Sequence, residues 1–269
     1  MPPGRLLSAY VVFVGAALAL SVFASVALHE LGHVLAAMLL GGTFQGMHVT
    51  PAGGWARSEL PSDAEPWAGR TVTGAGMAIE LVVGPLVLLW GRRVESRVLA
   101  TTASLFGAAC VISVPLYCFW SLSGSRRLDG QLGDPMVLVL SFLPPIKDSS
   151  ALRAALSIPF WHHGYWLPPA LLLPAVGALA LRPYLEVQSR WFPTASLAQQ
   201  RFIAGVALGV PATVYAVLVE LIAPMRPMEV VLFTVPLGLL TLVLARPPRP
   251  GVEGRRGAVA TVAPPVAPA

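Results

Sequence analysis

Residues 6–40 read LLSAYVVFVGAALALSVFASVALHELGHVLAAMLL, and within this long apolar run stands the pentapeptide His29-Glu30-Leu31-Gly32-His33. On a helix, side chains at i and i+4 lie one above the other, so His29 and His33 share a face. That is the spacing two ligands of one Zn²⁺ need, and Glu30 is placed to take a proton from a metal-bound water. With 5 His in 269 residues, the number of HExxH matches expected by chance is roughly 0.003. The plainer alternative is a packed pair of histidines with a glutamate snorkelling from a helix end. It is disfavoured because ionisable groups inside an apolar span are costly and tend to be functional. The stretch therefore predicts a membrane helix that carries a hydrolytic zinc site.

The rest of the composition agrees with a membrane protein. Hydrophobic residues make up 55%, charged residues 12%, and mean hydropathy is +0.71, outside the range of a soluble chain. Apolar stretches run from Leu6 into the HELGH segment, from Thr71 to Trp90, Val98 to Trp120, Trp166 to Leu181, Phe202 to Ala223 and Val230 to Ala245. The fourth and sixth are short for about 30 Å of hydrocarbon. The expected fold class is an all-α polytopic membrane protein of about six transmembrane helices, with a small β-hairpin in the loop after the first span. Ser25-Val26-Ala27 resembles a signal-peptide cleavage site, but the apolar run is longer than a secretory h-region and continues through HELGH to Leu40. A helix of that length implies tilt, a break or protrusion from the bilayer.

Cys110 and Cys118 both fall in the third span, without zinc-like CxxC spacing, and read as small packing residues. The net charge of +5 and pI near 9.8 suit contact with lipid headgroups of a bilayer and give no indication of a nucleic-acid partner. Arg-rich, Lys-poor usage suggests the cell membrane of a high-GC bacterium. The chain divides into an integral membrane domain over 1–245 and a Pro- and Arg-rich tail over 246–269 that reads as disordered.

Between the first two spans, Thr43 to Val49, the turn-rich Pro51-Ala52-Gly53-Gly54 and Trp55 to Ser58 predict two short strands, whose free edge over 43–49 can pair with an extended substrate peptide. His48 in this hairpin reads as a surface residue. The second span holds several glycines and alanines, which permit close helix approach, and one carboxyl, Glu80. Two readings of Glu80 stand: an acid hydrogen-bonded to a neighbouring helix, or a group beside the metal that orients a ligand His or contacts substrate. Glu220 in the fifth span raises the same question near a helix end. Met136 to Leu143, too short to cross, is expected to dip into the bilayer or to form a broken span with the preceding segment.

A catalytic zinc needs a third protein ligand, and HExxH supplies two. Asp129 is the first candidate, Asp134 the second, and the pair His162 and His163 the third. With HELGH on an early span, Ala75-Gly76 on the next and Leu128-Asp129-Gly130 after the third, the chain resembles the site-2 protease family of intramembrane zinc metallopeptidases over about residues 6–145. The resemblance implies zinc as cofactor, His29, His33 and Asp129 as ligands, Glu30 as the general base, and membrane-associated proteins as substrates. Two features depart from the family pattern. Ser121 to Arg127 lacks the Asn and Pro that commonly precede LDG, and Glu80 and Met77 stand where Ala-Gly-Pro-x-x-Asn has Asn and Pro. A compact branch with an Asp near Gly133-Asp134 keeps Asp134 as the alternative third ligand.

Zinc-dependent hydrolysis of a peptide bond is thus the expected function, in a regulated intramembrane proteolysis role. The rival is a family-like membrane protein that acts as a non-proteolytic binding or regulatory partner. A transporter built on Glu80 is the third reading, although no repeated pair of broken spans is visible.

Overall fold

The computed structural model describes residues 3–50, 53–122, 133–142 and 166–222. The apolar run Val230 to Ala245, the tail over 246–269, Asp129 and the pair His162 and His163 lie outside the described residues. The elements in chain order are α1 (Pro3–Leu39), β1 (Thr43–Thr50), β2 (Gly53–Glu59), α2 (Pro66–Arg93), α3 (Arg97–Leu122), α4 (Asp134–Phe142), α5 (Leu167–Trp191) and α6 (Leu197–Ile222).

The protein is a helical membrane protein with a two-stranded antiparallel hairpin after its first helix. Among the described residues α2, α3, α5 and the Leu6–Leu39 part of α1 are long and apolar enough to cross a bilayer. Their outward faces carry Leu20, Leu171 and Leu179, each about 70% exposed; on helices of this length such side chains fit lipid rather than water.

At 37 residues, α1 is about 56 Å long, so it must tilt or project from a core about 30 Å thick. It continues through HELGH, as the sequence implies, and ends in a Schellman motif. The N–H of Gly42 donates to Ala37 O at 2.8 Å and that of Gly41 to Met38 O at 3.1 Å, with Gly41 in the left-handed region at φ +79°. The turn sends the chain directly into β1, whose register with β2 is interrupted between Phe44 and Gly46.

Small residues set the helix contacts, as expected where lipid removes the hydrophobic drive between helices. A Cβ placed on Gly32 would lie 2.6 Å from Ala75 O, so the HELGH segment presses against the backbone of α2. Gly84 and Gly107 make the corresponding approach between α2 and α3.

At the end of the bundle away from the hairpin, Tyr10 Oη donates to Gln188 Oε1 at 2.9 Å, Arg97 stands over the Trp191 ring at 4.6 Å, and Arg190 donates to Val94 O. At the hairpin end, Phe119 late in α3 meets Trp166 just before α5, with ring centroids 6.1 Å apart. The chain therefore leaves α3 and re-enters α5 on the same side of the bundle. The intervening α4, at nine residues, is too short to span and packs against α2 and α3. The fourth apolar stretch is longer than hydropathy suggests: α5 continues beyond Leu181 through Pro183 to Trp191.

Candidate metal centre

His29 and His33 lie one turn apart on α1, both buried, with ring centroids 4.9 Å apart. The first residue of α4, Asp134, brings Oδ2 to 3.1 Å from His29 Nε2 and 3.2 Å from His33 Nε2. One ligand atom from each of the three lies within 4.8 Å of the others.

The tautomers follow from the other ring nitrogens. His33 Nδ1 stands 2.6 Å from Val72 O, and since a carbonyl only accepts, Nδ1 carries the proton. His29 Nδ1 stands 2.9 Å from Glu80 Oε2 and donates to it. In neutral imidazoles both Nε2 atoms then present lone pairs, and they point at a carboxylate oxygen. Three electron-pair donors converge where no proton separates them unless an imidazole is doubly protonated. Ligand atoms about 2.0–2.1 Å from a tetrahedral ion stand roughly 3.3 Å apart, so the spacing fits a zinc ion.

Glu80 is only 3% exposed and gathers donors from three directions. Ser25 Oγ of α1 donates to Oε1 at 2.6 Å, Ser113 Oγ of α3 at 2.7 Å, and His29 to the other oxygen. Fixing the orientation and tautomer of His29 gives a carboxyl a role here, because partners of this kind raise ligand basicity and hold ring orientation. Glu80→Ala is expected to weaken zinc binding about ten- to hundredfold, read by competition with a chromophoric chelator. Unchanged affinity would reduce Glu80 to a packing role.

Gly76 closes the site from α2. A Cβ there would stand 2.6 Å from Nε2 of both histidines, inside any allowed contact. Ala is better than Gly in a helix by about 1 kcal/mol, so Gly76→Ala favours the helix while displacing both rings. The expected result is a protein that still unfolds cooperatively yet loses zinc, measured by thermal denaturation beside metal analysis.

Glu30 is 6% exposed and lies beneath the hairpin. A Cβ on Gly54 would come 2.9 Å from Glu30 Oε1 and 2.8 Å from its Cγ, so β2 can rest on Glu30 only with glycine at that position. His48 is on the surface, stacked on Trp55 at 5.9 Å, away from the cluster. Cys110 and Cys118 are free thiols, the latter beside Met77 with 3.7 Å between sulfurs.

The histidines and Asp134 are brought together as the alternative ligand set requires, whereas Asp129 lies outside the described residues. Sequence reading passed over Ser25, Ser113, Tyr117 and the Val72 carbonyl. Tyr117 Oη accepts the main-chain N–H of Asp134 at 3.0 Å and lies 3.2 Å from its Oδ2.

Fold and site together define a helical membrane protein in which two buried histidines meet a part-buried aspartate beside a buried glutamate. No protein-family model, curated protein or solved structure matches the chain.

Proposed function

We propose that this protein is a zinc-dependent intramembrane metallopeptidase of the site-2 protease type, which hydrolyses a peptide bond of a membrane-associated protein in a bacterial cell membrane. The observation that carries the reading is the convergence of His29 Nε2, His33 Nε2 and Asp134 Oδ2 while both Nδ1 atoms are engaged elsewhere. These three residues would hold the ion, with Asp134 as the third ligand. When bound, zinc supplies Lewis-acid polarisation of a carbonyl and lowers the pKa of water.

The remaining chemistry belongs to the chain. Glu30 accepts a proton from the attacking water at a carboxylate oxygen and delivers it to the leaving amine nitrogen, so that one water becomes the new carboxyl and amino termini. Glu80 and Val72 hold the imidazoles in the tautomers that face the site. Helical rise puts Gly76 about 8 Å inside the apolar stretch that begins at Thr71, so cleavage would occur below the surface of the bilayer. A helical peptide bond is shielded by its own backbone. Among the described residues β1 pairs only with β2, and its other edge would offer an extended substrate the hydrogen bonds it needs.

The test is to reconstitute the full chain in liposomes with a panel of transmembrane peptides carrying helix-breaking residues, and to look for new termini by mass spectrometry. Cleavage that stops with a zinc chelator and returns with zinc is expected. A zinc-loaded protein that cuts none of them would favour the non-proteolytic partner, to which the departure from the family pattern over Ser121 to Arg127 also points.

A further inference from the structure

Tyr117 meets the cluster at three points. Its hydroxyl accepts the N–H of Asp134 at 3.0 Å, donates toward Oδ2 of the same residue at 3.2 Å, and its ring stands edge-on to the His29 imidazole, with centroids 5.5 Å apart at 80°. A hydroxyl accepts and donates at once, and this one does both toward Asp134. One bond fixes where α4 begins; the other selects the carboxylate oxygen that faces the histidines. α4 is nine residues long; Met136 packs it against Leu122, and at its far end Arg70 Nη2 donates to Ser141 O, so the hydroxyl of Tyr117 is what addresses its first residue.

The approach of α4 to α3 depends on the same tyrosine. A Cβ on Gly133 would come 3.0 Å from Tyr117 Oη and 2.8 Å from Ser121 Oγ, so the residue before Asp134 must be small for the contact to form. One turn earlier on α3, Ser113 donates to Glu80 behind His29. A single face of α3 therefore supports two different members of the cluster.

We propose that Tyr117 is a positioning residue that delivers Asp134 Oδ2 to the two histidines. The inference rests on the metal-site reading and adds a residue to it. Phe at this position keeps the ring against His29 and removes only the hydroxyl, which separates positioning from packing.

The experiment is Co²⁺ titration of the full chain in detergent, wild type against Tyr117→Phe, followed by visible absorption. The wild type is expected to bind one Co²⁺ with the strong bands of a four-coordinate site. Tyr117→Phe should bind about ten- to hundredfold more weakly, with altered bands in a metal-free protein that still unfolds cooperatively. Gly133→Ala should move affinity and bands in the same direction through the displaced α4. Wild-type affinity and bands in both variants would overturn the inference while leaving the metal site standing. A folded wild type that takes up no Co²⁺ would overturn the metal-site reading and this inference with it.

Discussion

Glu30→Gln is expected to abolish peptide hydrolysis while the protein keeps its full zinc content. A positioned general base contributes about 10²- to 10⁴-fold to rate, and Gln preserves the shape of the side chain under Gly54 without accepting a proton. Glu30 is not among the three residues whose donor atoms converge, so metal binding should be untouched. Cleavage of a reconstituted peptide, quantified by mass spectrometry beside zinc analysis of the same sample, separates the two effects. Turnover within a few-fold of wild type would remove Glu30 from the mechanism. Loss of zinc together with activity would recast it as part of the metal shell.

The second large effect is expected at Asp134. Asp134→Ala removes the only carboxylate among the three converging groups and leaves two imidazoles, too few for a stable zinc site. Zinc affinity should fall by more than about a hundredfold, the upper range of what a supporting partner alone costs. Asp129→Ala should retain zinc. Competition with a chromophoric chelator on both variants decides between them. The reverse pattern, with zinc lost from Asp129→Ala and kept by Asp134→Ala, would assign the third ligand to the Leu128-Asp129-Gly130 segment.

Much of this arrangement is legible along the chain, and the rest has a physical reason for being hidden. HELGH in an apolar run declares a helix and sets two histidines on one face through a local i, i+4 relation, which sequence spacing encodes directly. The hairpin is likewise local, announced by the turn-rich Pro51-Ala52-Gly53-Gly54, of which both glycines belong to β2. The choice between Asp129 and Asp134 is different in kind. It depends on where a short helix docks against α2 and α3, and no spacing in the sequence states that. Tyr117, one tyrosine among five, becomes visible only when α4 is laid against α3.

The spacing of polar residues along the helices carries a further signal. Ser21, Ser25, His29 and His33 on α1 repeat every fourth residue, as do Ser113, Tyr117 and Ser121 on α3 and Val72, Gly76, Glu80 and Gly84 on α2. A polar or small residue at every fourth position of a membrane helix marks the ridge that faces other helices. Three such rows converge on one site, which explains why Glu80 finds a serine from each neighbouring helix. The length of α5 was obscured for the opposite reason. Its last turns carry Arg182, Glu186, Gln188 and Arg190, which end the hydropathy signal but not the helix; the three charged side chains are exposed, and Gln188 is buried against Tyr10.

The central claim is that the two histidines and one aspartate hold a zinc ion. Zinc K-edge X-ray absorption on the detergent-purified wild-type chain tests it most directly, since it counts and identifies the ligand atoms without needing a substrate. The expected spectrum shows one zinc per chain with a nitrogen and oxygen shell at about 2.0–2.1 Å and imidazole scattering from two histidines. A folded protein without zinc, or a shell of sulfur at about 2.3 Å, would contradict the site described here.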